Sequence, residues 1–259
     1  MLKSPGPVAL DVGPITIYWY GIILALAFLA GLAITIKTAK KQGINSDIII
    51  NFAIFLLVGA IIGARLYFVI FNWNFYKFHP LEIFMTWHGG LSIHGAIIGG
   101  FITGAIYSKI HNLPLLKYAD IVSPGLILGQ AIGRWGNFFN SEAFGSPTEL
   151  PWKLYIPVEN RPAEYVNYQY FHPTFLYESL WNFIVFSILF FFLRKKFEGK
   201  NGALFFSYLI LYSSGRFIIE GIRIDSIYTV LGIPVAQLIS IIFIILGILG
   251  LYFVKKYTK

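Results

Sequence analysis

Residues 133–145 read GRWGNFFNSEAFG, directly after the apolar run IVSPGLILGQAI at 121–132. An arginine, two asparagines and a glutamate therefore stand at the end of a stretch apolar enough for a membrane helix. The chain around them is equally apolar. It is 57% hydrophobic and only 12% charged, with a mean hydropathy of +0.69. Soluble domains carry about a quarter charged residues, so this balance belongs to a membrane protein. The net charge of +8 does not point to nucleic acid, because the basic residues form no single stripe. They follow apolar runs as short clusters, as in cytoplasmic membrane loops. The absence of cysteine excludes a disulfide, a thiolate nucleophile and a cysteine metal site. No basic segment leads into a short apolar core at the N-terminus, so no cleaved signal peptide is expected.

A hydrocarbon core takes about 20 apolar residues per helix. That rule predicts seven spans, at 15–36, 48–71, 91–109, 118–138, 173–193, 203–222 and 234–254. Lys37, Lys40 and Lys41 follow the first, and Lys109 and Lys117 separate the third from the fourth. Arg194, Lys195, Lys196 and Lys200 follow the fifth, and Lys255, Lys256 and Lys259 close the chain. The opposite loops hold only Lys3, Lys77, Lys153, Arg161 and Arg223. Positive charge favours the cytoplasm, so the N-terminus is expected outside and the C-terminus inside.

The expected fold is an all-α membrane protein of seven transmembrane helices, one integral membrane domain over 1–259. Residues 139–172, between helices four and five, form a small extracytoplasmic cap; their prolines and aromatics suit an ordered segment better than a disordered linker. Glycines four apart (Gly59 and Gly63, Gly95 and Gly99, Gly100 and Gly104, Gly125, Gly129 and Gly133) read chiefly as close helix-packing seams. No internal repeat supports an inverted-repeat transporter.

Seven ionisable residues fall within or at the ends of spans: Arg65, His94, Arg134, Glu142, Glu178, Arg216 and Glu220. At a helix centre such a residue costs about 2.5–3.5 kcal/mol, so it is rare unless paired or functional. Most of the seven map to the outer half of the membrane, which points to a polar cavity opening outward. Arg216 and Glu220 are i and i+4 and share a helical face; a pair that merely neutralises itself is the plain alternative. His94 follows the Gly89-Gly90 step, where a lone histidine is more often a hydrogen-bonded structural residue. His88 and His94 are six apart and share no helix face, there is no HExxH, GxSxG or Walker loop, and no metal or cofactor is expected. Arg134 offers a guanidinium fork suited to a phosphodiester. Asn137 and Asn140, i and i+3, add amide groups beside it, and Glu142 can orient the arginine or move a proton. The same arginines would equally suit a transporter or channel for an anionic solute.

These residues carry a resemblance. GRWGNFFNSEAFG resembles the signature G-R-x-G-N-F-x-N-x-E-x-x-G of the bacterial prolipoprotein diacylglyceryl transferases. YWYG at 18–21, GGLSIHG at 89–95, HPTFLYE at 172–178 and GRFIIEGIR at 215–223 extend it, in order, over nearly the whole chain. The resemblance implies a multi-pass enzyme of the bacterial inner (cytoplasmic) membrane that moves the diacylglyceryl group of phosphatidylglycerol to a lipobox cysteine thiol. The products are a thioether and glycerol 1-phosphate. The implied partners are phosphatidylglycerol, preprolipoprotein signal peptides and the bilayer, with no nucleic acid. Carried over by position, Arg134 binds the lipid phosphate, Asn137 helps to hold the head group, and His94 stands where the family has its proposed general base. Tyr20, Glu142, Gly145, Arg216 and Glu220 match other positions the family needs. The physical expectation is that Arg134 and Arg216, from separate helices, meet around one phosphate.

Overall fold

The computed structural model describes residues 1–13, 15–224, 229–230 and 232–257; Lys259, named above, lies outside them. Long apolar stretches fold as helices because a helix satisfies its own backbone polar groups without water. The long helices are α1 (Trp19–Lys40), α2 (Ser46–Phe71), α3 (Ile93–Ile110), α4 (Leu115–Phe139), α5 (Thr174–Ser187), α6 (Ala203–Glu220) and α7 (Val235–Tyr257). A π turn, Ile188–Leu193, carries α5 on to Lys196. Among the described residues, six helices are long and apolar enough to cross a membrane. The other, α4, has 25 residues, but Lys117, Asp120, Gln130 and Arg134 dilute its apolar character.

The first expected span starts later than hydropathy suggests. Ile15–Tyr18 is a strand, β3, paired antiparallel with β2 (Val8–Val12), and the helix begins at Trp19. The alternating, β-branched Ile15-Thr16-Ile17 favours this extended form. Leu2–Lys3 (β1) runs parallel to Leu154–Tyr155 (β4), which pairs antiparallel with Tyr170–Phe171 (β5). The 139–172 segment is thus ordered, and it recruits the chain's first residues, which nothing in the sequence announced. Ala143, Phe144, Leu154, Ile156, Phe171 and Phe175 form its core. A last hairpin joins Thr229–Val230 (β6) to Ile233–Pro234 (β7).

The chain divides into two compact units, Ile36–Tyr118 and Met1–Thr35 with Ala119–Lys259. In the first, α2 and α3 touch backbone to backbone. A Cβ on Gly63 would lie 2.4 Å from the Gly95 carbonyl oxygen, and one on Gly99 would lie 2.3 Å from that of Gly59. These are the seams that the four-residue spacing predicts. In the second, α1 meets α4 in the same way at Gly31 and Gly125, whereas Gly133 meets only Leu24, at 3.9 Å.

Helix α5 shows how side chains sort in that second unit. Phe175, Glu178, Ser179, Asn182, Val185 and Phe186 recur at helical spacing and are buried, while Leu180, Phe183 and Ile184 face outward. Ile127 of α4, Val185, Phe186, Leu189 and Phe190 of α5 with its extension, and Leu204 and Tyr208 of α6 form the core. Asp120 of α4 caps the start of α6, accepting from Gly202 N at 2.6 Å and Phe205 N at 2.7 Å. These are orphan helix-start donors that otherwise have no partner in an apolar setting. Asp120→Ala is expected to lower stability by about 1–2 kcal/mol, read as a lower thermal midpoint in detergent.

Candidate active site

Three helix ends converge in the second unit. Arg134 lies near the C-terminal end of α4, Glu178 in the opening turns of α5, and Arg216 and Glu220 in the last turns of α6. The buried stripe of α5 turns Glu178 inward, where it is 3% exposed.

Glu178 is the hub. Its Oε2 lies 2.6 Å from Arg134 Nη2, and its Oε1 lies 2.6 Å from Arg216 Nη1. Arg223 Nη1, just past the end of α6, approaches Oε1 at 3.5 Å. Arg216 Nη2 also pairs with Glu220 Oε2 at 2.6 Å, as the i,i+4 spacing predicts, and Arg223 Nε lies 3.9 Å from the same oxygen. Among the described residues, three guanidiniums thus share two buried carboxylates. Arg134 and Arg216 do meet, and the group between them is a carboxylate of the protein.

The GRWGNFFNSEAFG turn builds a second group beside it. Helix α4 ends at Phe139, and the chain reverses through Ser141 and Ala143, both left-handed at φ 53° and 55°. Non-glycine residues rarely adopt that conformation, and it persists where surrounding contacts over-determine it. Those contacts are present. Asn160 Nδ2 donates to Asn140 O at 3.1 Å; Thr174 Oγ1, at 2.6 Å, and Phe175 N, at 3.0 Å, both donate to Ala143 O. The turn brings Glu142 back over α4, where its Oε1 accepts from Asn137 Nδ2 at 2.8 Å and Asn140 Nδ2 at 3.4 Å. The sequence offers Glu142 to orient the arginine or to move a proton; its hydrogen bonds here run to the two asparagines, and the carboxylate paired with Arg134 is that of Glu178.

Tyr20 lies across Gly136, whose Cβ would fall 2.7 Å from Tyr20 Cδ2. That explains the second glycine of GRWG. A side chain there would push the ring away. Gly145 serves packing: its N–H donates to His172 O at 2.9 Å, and a Cβ would sit 2.9 Å from Ile222 O. It locks the turn against the segments before α5 and after α6, and offers no side chain to a ligand. His94 is the second residue of α3, in the Ile36–Tyr118 unit, exposed and with its ring 5.9 Å from that of Tyr67.

Arg223 is a cluster residue that the sequence did not single out, and Glu178, counted among the seven ionisable residues, had no role assigned to it. Glu178 was visible as the last residue of HPTFLYE, and Arg223 continues the 216, 220, 223 helical spacing.

A family model described as prolipoprotein diacylglyceryl transferase matches residues 7–253. The chain belongs to that family. It is 50% identical to the phosphatidylglycerol--prolipoprotein diacylglyceryl transferase of Nostoc sp., over 97% of this chain and 90% of that protein. The proteins of the same name from Synechococcus elongatus and Synechocystis sp. are 47% and 49% identical. They cover 97% and 98% of this chain, which covers 88% and 92% of them. Membership in the prolipoprotein diacylglyceryl transferase family makes the chain a transferase and sets aside the reading as an anion transporter.

Proposed function

We propose that the protein transfers the diacylglyceryl group of phosphatidylglycerol to the lipobox cysteine thiol of a preprolipoprotein, the first step of lipoprotein maturation. The observation that carries this reading is the arginine cluster around Glu178, where Arg134 and Arg216 from separate helices meet at one buried carboxylate. In the reaction the thiol sulfur displaces phosphate at an sp3 carbon. A C–S bond forms, a C–O bond breaks, and glycerol 1-phosphate leaves with the bonding electrons. Charge therefore gathers on the phosphate, and donors aimed there lower the barrier more than they tighten ground-state binding. Arg134 and Arg216 are the donors for it, with Glu178 and Glu220 fixing their forks; Asn137 and Asn140, braced by Glu142, hold the head group beside Tyr20. The chain has no cysteine of its own, so the nucleophile comes with the peptide and transfer is direct.

On this reading α4 is the seventh span and the protein is one integral membrane domain. Its N-terminus and the 139–172 cap lie outside and its C-terminus in the cytoplasm, in keeping with the lysine and arginine bias of the loops. The test is incubation of the purified protein with phosphatidylglycerol and a lipobox peptide. A mass gain of one diacylglyceryl unit with release of glycerol phosphate is expected; an unmodified peptide defeats the proposal.

The resemblance assigns His94 the thiol proton. A thiol with a pKa of about 8.5 is mostly protonated near neutrality, so a base is needed there. His94→Gln is expected to abolish transfer at pH 7. Recovery of activity as the pH is raised past the thiol's own ionisation is the mark of a lost base; a loss that persists at high pH would show instead that His94 positions the substrate.

A further inference from the structure

Between α2 and α3 the chain makes one α-turn, Trp73–Tyr76, then two 3-10 turns, Pro80–Ile83 and Thr86–His88. Phe75, Phe78, Leu81, Phe84 and Trp87 recur along it at every third position, and each is between 51% and 77% exposed. Leu81 and Trp87 stand in the 3-10 turns, Phe75 in the α-turn, and Phe78 and Phe84 in the links between them, so the row is one of sequence spacing and shared exposure. The inner side is built differently. Arg65 of α2 is 6% exposed and among the described residues makes no ion pair with a carboxylate. Its Nε donates to Ile83 O at 2.9 Å, and its Nη1 to Gly89 O at 2.7 Å and Gly90 O at 2.9 Å. Its Nη2 donates to Met85 O at 3.4 Å and also to Glu82 O. All five donors of the guanidinium are thereby spent on backbone carbonyls of this one segment. Tyr76, buried, lies under the cation at 5.2 Å. Gly90, at φ +76°, passes so close that a Cβ would fall 2.5 Å from Arg65 Nη1.

We infer that residues 73–91 form a preshaped ledge whose apolar row seats in the head-group and acyl boundary of one membrane leaflet, with Arg65 as the residue that holds its shape. The occupant follows from continuity. Ile70 and Phe71 at the end of α2, and Leu91, Ile93 and Ile97 at the start of α3, are exposed apolar residues on or beside helices able to cross a membrane. The row extends that lipid-facing surface, and its tryptophan suits the boundary, as amphipathic interfacial segments do. Lys77, exposed, is off the row and serves as the polar reference. A lysine at position 65 would keep the charge but could not fork to five carbonyls.

The lack of cysteine makes a single introduced thiol unique. Phe84→Cys, Leu81→Cys and Lys77→Cys, each in the full chain and nitroxide-labelled, would be placed in vesicles of phosphatidylglycerol and phosphatidylethanolamine. The row positions are expected to collide with oxygen in preference to a water-soluble nickel chelate, and Lys77→Cys to show the reverse. In an Arg65→Lys background this contrast is expected to be lost while helical circular dichroism is kept. Gly90→Ala, which thrusts a methyl at the same guanidinium, is expected to act alike and serves if Arg65→Lys fails to fold. Nickel contact at Phe84→Cys equal to that at Lys77→Cys overturns the ledge. Protection from both reagents with spin–spin broadening names a second copy of the chain as the occupant and overturns lipid. A contrast unchanged in both background variants overturns the role of Arg65.

Discussion

Arg134→Lys is expected to lower the rate of diacylglyceryl transfer by about 10²–10³-fold, the scale of losing one preorganised donor at a site of developing charge. The substitution keeps a cation at the end of α4. It removes the planar fork, one arm of which lies 2.6 Å from Glu178 Oε2. Lysine ends in one ammonium and cannot at once hold that carboxylate and present a second, coplanar N–H to a phosphate. Because the proposed contact strengthens as the phosphate leaves, the loss should fall mainly on kcat, with KM for phosphatidylglycerol changing less. The measurement is steady-state transfer to a lipobox peptide at varied lipid; turnover within a few-fold of the parent protein rules out the clamp.

Glu178→Gln should be as severe, for a different reason. The glutamine keeps the shape and one carbonyl acceptor but removes the charge on which Arg134, Arg216 and Arg223 converge. Breaking a buried ion pair by deleting one partner costs about 3–5 kcal/mol, because the remaining charge stays buried without compensation. Here Arg134 and Arg216 would each lose the carboxylate that lies 2.6 Å away, and repulsion between them would splay the forks. Misplacement of about 1 Å in a catalytic group lowers rates by about 10²-fold, so activity should fall at least that far even in molecules that stay folded. Glu178→Asp separates the two effects. It restores the charge but shortens the reach across Arg134 and Arg216, so stability should recover more than activity. Thermal unfolding in detergent and transfer assays on both variants check this; a Glu178→Gln protein with normal turnover would show that Glu178 does not orient the arginines.

The membrane character, the order of the helices and the family were legible in the chain. Apolar runs of about 20 residues, lysine clusters after them and five ordered motifs are local or serial features, and such features survive in one dimension. Helical spacing also foretold the Arg216–Glu220 pair, since i and i+4 must share a face. Hydropathy could not place the start of α1, because a β-branched run beside a membrane helix looks the same on an apolar scale. Nor could it show that Leu2–Lys3 adds a strand beside Leu154–Tyr155.

The sequence by itself determined what this protein is made of: apolar helices, the glycine seams between them, and arginines that must be neutralised at membrane depth. Only the tertiary structure decided which carboxylate does so. Glu142 is eight residues from Arg134 and was the natural candidate, yet the left-handed turn at Ser141 sends it to Asn137, while Glu178 reaches Arg216 across 38 positions. Periodicity fixes the face of a helix on which a side chain stands, but its partner is set by which other helix packs there. That choice belongs to the convergence of α4, α5 and α6, where Glu178 on the buried stripe of α5 faces both arginines.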